Sequence, residues 1–211
     1  MIMDVRDRII LSAEELFYLA KIDNGSYLDY DYIAAMGDIE HQKKVKEQDC
    51  LIALEKKGLL DEDFDGNRII DASGKSLLKP IYGGDFESTV TVYDGTSEST
   101  TLRFHRADGN WTLCSPFEGN FSVEQIQENE MLGLVCDKLS DLSDQADQPS
   151  LDPEEIRSIV VIKAIDLEAK SSVVNTYYEK AGNIYEETEN GFAFLSKKDF
   201  LSRVERIIRG V

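Results

Sequence analysis

Tight-turn dipeptides cut the apolar and polar alternation of this chain into hairpins, and that spacing restricts the fold more than any other feature. From Phe86 onward, Val90 and Val92 alternate with Thr89, Thr91 and Tyr93; Asp94-Gly95 interrupts the pattern, Leu102 and Phe104 resume it, and Asp108-Gly109 interrupts it again. Asp-Gly tolerates the left-handed backbone of two-residue hairpin turns, so the flanking runs read as antiparallel strands. With Asp108 and Gly109 as the turn residues, Phe104 falls opposite Leu113 and Arg106 opposite Trp111. The apolar side chains then share one face, with the guanidinium able to lie over the indole. Thr101, Arg103, His105, Thr112 and Cys114 take the other face. Phe86 to Phe121 therefore reads as a β-meander.

The pattern returns between Ile156 and Leu195. RSIVVIKAIDLEA and SSVVNTYYEK form two runs, Ala181-Gly182-Asn183 turns the chain into IYEET, and Asn190-Gly191 turns it into FAFL. Ile156, Ile159, Val160 and Lys163 also fit helical spacing, but β-branched residues dominate and favour a strand. Ser196 then opens a helix carrying Phe200, Leu201, Val204, Ile207 and Ile208, with Arg203, Arg206 and Arg209 suited to its C-terminal dipole.

The first third reads as helix. Ser12 and Glu15 form a capping box ahead of Leu16 and Leu19, and Asn24-Gly25 stops that helix. YLDYDYIAAMG predicts a second helix capped near Asp29, whose Tyr27, Tyr30 and Tyr32 are expected to wedge between helices with their hydroxyls at the surface. A third helix runs from about Ile39 to Lys57 and is stopped by Gly58. Residues 67 to 82 read as a connector docked through Leu77, Leu78 and Ile81. Ser122 to Gln125 match a second capping box, opening a helix through Ile126, Met131, Leu134 and Val135 to about Leu142.

Both β segments thus end in an aromatic pair, a serine and a helix: Phe117 and Phe121 in one, Phe192 and Phe194 in the other. The expected fold class is α+β: a quasi-two-fold antiparallel β-sheet flanked by helices, with an N-terminal helical bundle. The expected division is an N-terminal half over 1–145, an acidic linker over 146–155 and a C-terminal half over 156–211, forming one compact domain.

Charge and composition exclude several functions. Asp and Glu number 41 against 23 Lys and Arg, a formal charge of -18, which repels nucleic acid and anionic membrane. The helix, KKGLL and turn over His41 to Asp71 has the outline of a winged-helix DNA reader, yet Asp61, Glu62, Asp63 and Asp65 follow where basic residues would be needed. The cysteines, Cys50, Cys114 and Cys136, are odd in number and widely spaced, which fits a reducing compartment. The N-terminus has no apolar signal region and the longest apolar run, Ile159 to Ile162, is too short to span a bilayer, so a cytoplasmic protein is expected.

No catalytic or cofactor motif is present. His105 and Cys114 share a face but sit as diagonal neighbours roughly 7 to 8 Å apart, too far for proton transfer. The two histidines, His41 and His105, lack metal-ligand spacing, and the DEDFDG stretch lacks that of a calcium loop. No enzyme activity, cofactor, metal or small-molecule ligand is expected.

The layout resembles the EspG family of type VII secretion chaperones. The residues that carry the resemblance are the S-A-E-E-L-x-x-L helix at Ser12 to Leu19, the helix ending KKGLLD at Lys56 to Asp61, the mid-chain meander, and the closing ENGFAFLSKKDFLSRVERII segment. The chain departs from the family in the helical part of its second half, reduced to one helix and the acidic linker, and in a short turn from Asp94 to Ser99. The resemblance implies a non-enzymatic bacterial chaperone or adaptor in the cytoplasm whose sheet holds a helical secreted protein. Thr96 and Glu98 at the turn, with Phe117 and Phe121, are the expected partner-binding residues. Two other classes remain open on the residues alone: an acidic immunity protein that neutralises a toxin by mimicking a polyanion, and an interaction adaptor unrelated to secretion.

Overall fold

The computed structural model describes residues 8–25, 28, 30–35, 43–95, 99–139, 142–143 and 151–210. In chain order the elements are β1 (Ile9–Leu11), α1 (Ala13–Ile22), α2 (Tyr30–Ala35), α3 (Lys43–Lys56), β2 (Leu60–Glu62), β3 (Arg68–Ile70), α4 (Ala72–Gly83), β4 (Phe86–Tyr93), β5 (Ser99–Ala107), β6 (Asn110–Phe117), β7 (Asn120–Ile126), α5 (Met131–Cys136), β8 (Ser158–Asp166), β9 (Ser171–Lys180), β10 (Asn183–Thr188), β11 (Gly191–Leu195) and α6 (Lys197–Arg209). This is an α+β protein with a large antiparallel sheet. The chain divides into one unit of Met1–Asp85 with His105–Gln125, and another of Phe86–Phe104 with Ile126–Val211.

In the first unit, β1 pairs antiparallel with β7, Ile9 opposite Val123 and Leu11 opposite Phe121, and β6 lies beside β7. Ser12 caps α1 as expected: its hydroxyl accepts from the Glu15 amide at 3.1 Å, and Glu15 Oε2 accepts from the Ser12 amide at 2.7 Å. Gly58, at φ 71, stops α3, and the Leu59 amide donates back to the Leu54 carbonyl at 3.1 Å, the six-to-one bond of a Schellman stop. Leu11, Leu16, Leu19, Leu54, Leu78, Ile81 and Cys114 form a common core with Phe121 and Val123.

Three sequence expectations are corrected in these elements. Residues 67 to 82 are not a connector but β3 followed by helix α4. Asp71 caps α4, and Pro80, whose missing N–H argues against a helix, sits in its last turns, where the nearby Leu77 carbonyl accepts from Thr112 Oγ1 at 2.6 Å. Ser122 caps nothing: it lies inside β7, because Glu118 and Gly119, at φ 48 and 76, form a hairpin turn that keeps the chain in the sheet. The helix that follows is confined to Met131–Cys136, behind a 3₁₀ turn at Glu128–Glu130. Tyr32 is fully buried rather than wedged with its hydroxyl at the surface, since that hydroxyl meets His105; Tyr27 lies outside the described residues.

In the second unit, residues 99–104 of β5 neighbour β4, and the order continues β4, β8, β9, β10, β11. The ladders given for β4, β8, β9, β10 and β11 are antiparallel. The β9–β10 turn is Ala181-Gly182, at φ 50 and 83. Glu179, buried beside this turn, accepts from the Gly182 amide at 2.6 Å and from Ser158 Oγ at 2.7 Å, while its carbonyl accepts from the Arg157 amide at 2.9 Å. Helix α6 begins at Ser196, whose hydroxyl accepts from the Asp199 amide at 3.1 Å, and it ends at Gly210 in the left-handed conformation. It packs on β4 and β8 through Phe200, Val204, Ile207 and Ile208; Tyr177 meets Phe200 edge-on at 5.0 Å, and Ser88 Oγ donates to the Ile208 carbonyl at 2.9 Å.

Candidate functional site

Helix α6 covers one face of the second unit's sheet and leaves the opposite face more accessible. Directly opposed residues share a face in an antiparallel sheet. The register therefore runs one row across five strands: Tyr93 opposite Ile159, Ile159 opposite Tyr178, Tyr178 opposite Tyr185, and Tyr185 opposite Phe194. A second row brings Thr91, Val161 and Thr176 together, and a third brings Thr89, Lys163 and Val174. Tyr185 is buried, whereas Tyr93 and Val174 are 48% and 59% exposed and Ile159, Val161, Thr176 and Tyr178 are half-buried. Isolated exposed apolar residues are ordinary; a contiguous band of them marks a surface that associates.

The aromatic members are held by ring contacts. Tyr178 meets Phe192 edge-on at 4.8 Å, and Tyr185 meets Phe194 at 6.1 Å. Burial pushes the Tyr178 phenol above its ordinary value, and the Glu187 carboxylate adds to the shift. It therefore stays protonated at neutral pH and donates to Glu187 Oε2 at 3.4 Å. The first row is aromatic and apolar, and the two beside it mix Val161 and Val174 with Thr89, Thr91, Thr176 and the exposed Lys163.

Of the residues expected from sequence to bind a partner, Phe117 is 36% exposed, with the Arg8 guanidinium 4.3 Å from its ring centroid. Phe121 is 7% exposed and packs edge-on against Tyr32 at 4.8 Å. Thr96 and Glu98 lie outside the described residues, as do His41 and residues 146–150 of the acidic linker. Arg106 does lie over Trp111, 5.5 Å from the ring centroid, and its Nε donates to Asp85 Oδ1 at 2.9 Å. His105 bonds Tyr32, Cys114 is buried in the core, and none of the cysteines is in a disulfide. Among the described residues no group of three or more His, Cys, Asp or Glu is placed to hold a metal. No helix among them is long and apolar enough to cross a membrane.

Sequence reasoning missed the Tyr93 to Phe194 row. The signal was present: a two-residue turn at Ala181-Gly182 places Tyr178 opposite Tyr185 by counting outward.

The arrangement of strands and helices is similar to that of a solved type VII secretion chaperone. One such match is the structure of the Mycobacterium tuberculosis type VII secretion system chaperone EspG5 in complex with the PE25–PPE41 dimer. The two share 9% sequence identity at a TM-score of 0.63, covering 96% of each chain, so the likeness is one of fold. No family model matches this chain, and no curated protein matches it.

Proposed function

We propose that this protein is a non-enzymatic cytosolic chaperone or adaptor that holds a helical secreted protein for a type VII secretion system. The observation that carries the reading is the correspondence of fold with EspG5 over nearly the whole of both chains. The half-exposed row of Tyr93, Ile159 and Tyr178, with Val161 and Val174 beside it, supports it, because an amphipathic helix needs a firm apolar surface to lie on. The formal charge of -18 keeps such a surface from associating with its own copies. The proposal keeps Thr96, Glu98, Phe117 and Phe121 as partner-binding residues.

The proposal includes the quasi-two-fold arrangement and the N-terminal helical bundle. Left-handed two-residue turns in both β segments, at Asp108-Gly109, Glu118-Gly119 and Ala181-Gly182, support the first. Contacts of α1 with α2, α3 and α4 support the second.

The test is co-expression with helical exported proteins of the same genome, followed by purification at low and high salt. The expected result is a complex retained at high salt and weakened at least about tenfold by Tyr93→Glu, an exposed position whose change leaves thermal stability unaltered. Recovering only a globular nuclease, bound solely at low salt, would overturn the reading and favour an immunity protein that works through its negative charge.

A further inference from the structure

Strand β9 is paired along only part of one side. Its β8 side is occupied from Ser171 opposite Asp166 to Glu179 opposite Ser158, whereas β10 pairs only from Tyr177 to Lys180. Beyond Tyr177 the ladder of β10 continues with β11, Glu187 opposite Phe192 and Thr188 opposite Gly191. Among the described residues no strand lies against the outer side of residues 171–176, and Ser171, Ser172, Val173 and Val174 are exposed. The segment reads SSVVNT. It has no charge and no proline, the devices that keep a free edge from pairing, so its outward N–H and C=O groups are a template for another strand.

On the α6 side this edge borders a cleft of about 460 Å³. Ala164, Val173, Tyr177 and Ile207 supply its apolar lining, and Arg203 and Arg206 line it from the helix. Arg203 is committed to Glu186 and to the Tyr177 hydroxyl. Arg206 is exposed and makes no ion pair among the described residues. A chain of net charge -18 thus presents, beside an unguarded edge, a guanidinium that is in no ion pair among the described residues, with the Asp166 carboxylate also lining the cleft.

We propose that residues 171–176 are a strand-addition site for an extended segment of a partner protein. The segment pairs with the free edge of β9, places an apolar side chain against Val173, and sets a carboxylate on the Arg206 guanidinium. The occupant is a partner rather than a second copy, because edge-to-edge pairing of two copies would bring together two chains of charge -18, and the SSVVNT segment of a second copy carries no carboxylate for Arg206. The site uses the edge of the sheet and its α6 face, so it is separate from the row at Tyr93 and Tyr178 and does not rest on the chaperone reading.

The full chain is titrated with a fluorescein-labelled decapeptide of alternating valine and threonine with one central glutamate, and with the same peptide carrying glutamine there. The expected result is binding about tenfold tighter for the glutamate peptide, with amide exchange slowed at residues 171–176. Arg206→Gln removes the preference, Arg206→Glu reverses it, and Tyr93→Glu leaves it unchanged. No binding, equal binding of the two peptides, a preference that survives Arg206→Gln, or slowed exchange confined to other strands would each overturn the proposal.

Discussion

Tyr32 and His105 are hydrogen-bonded to each other inside the first unit, Oη to Nε2 at 2.8 Å, with both side chains at most 1% exposed. The bond fixes α2, a helix of only six residues, to a sheet strand. Such a short helix has little stability of its own and depends on tertiary anchors. Tyr32→Phe removes the hydroxyl and leaves the ring packing on Phe121 in place. The expected cost is about 1 to 3 kcal/mol, read by urea denaturation. Adding His105→Leu costs less than the sum of the single changes, since the two residues share the bond.

Two glycines with nearly equal backbone angles carry different loads. Gly109, at φ 78, faces open space, whereas a Cβ on Gly210, at φ 71, would stand 2.5 Å from Phe86 Cε2. Gly109→Ala therefore costs only the left-handed strain, about 1 to 2 kcal/mol. Gly210→Ala is expected to cost clearly more, because it also pushes Phe86 out of the α6 contact. Thermal melts of the two variants check the order.

Asp71 makes the start of α4 sensitive to acid. The Ser73 hydroxyl donates to its carboxylate at 2.6 Å and the Gly74 amide at 3.0 Å. These bonds, the Ser73 hydroxyl foremost, hold the carboxyl below its ordinary value against the opposing effect of burial. A carboxyl depressed on folding stabilises above its unfolded value, near 3.9, and loses that contribution as pH falls through the folded one. The stability gap between the wild type and Asp71→Asn is therefore widest near neutral pH and closes below about pH 4. Urea denaturation at pH 7 and pH 3 measures it.

Glu15 belongs to two structures at once. It completes the capping box of α1 and, at 6% exposure, receives Lys57 Nζ at 2.6 Å. Ser12→Ala removes one cap bond, worth about 1 kcal/mol. Glu15→Ala removes the other and leaves Lys57 without its carboxylate, so a larger loss of about 2 to 3 kcal/mol is expected by the same denaturation measurement.

Local chemistry carried most of what sequence revealed. The strands from Ser158 to Leu195 are bounded by turns whose residues state their own geometry, and Ser12, Gly58 and Ser196 act where their side chains or φ angles require. The errors came where a local signal was genuine but outvoted. Ser122 has the spacing of a capping box, yet Glu118-Gly119 had already turned the chain and Phe121 and Val123 continue a strand that β1 completes from over a hundred residues away. Residues 67 to 82 read as a connector, yet α4 runs through Pro80 to Gly83, with Thr112 bonded to the Leu77 carbonyl from the sheet. The candidate site was legible only in part, because a sheet face is assembled from several strands, and the register that joins Tyr93 to Ile159 spans a long connection that no turn rule counts across.

The Glu179 carboxylate binds the β9–β10 turn to the first residue of β8, and the Ser143 amide adds a bond to the Gly182 carbonyl at 2.8 Å. At the Ser171 end the Asp166 carboxylate accepts from the Ala169 amide within the β8–β9 turn at 2.7 Å, but among the described residues β9 has no second neighbour there to be tied to. The sheet is therefore bound like a book along a spine at Glu179, with its loose pages at Ser171. Opening motions are polarised, beginning at the free edge and stopping at the spine, so the residues that can yield to a partner and those that preserve the fold occupy opposite ends of the same strand.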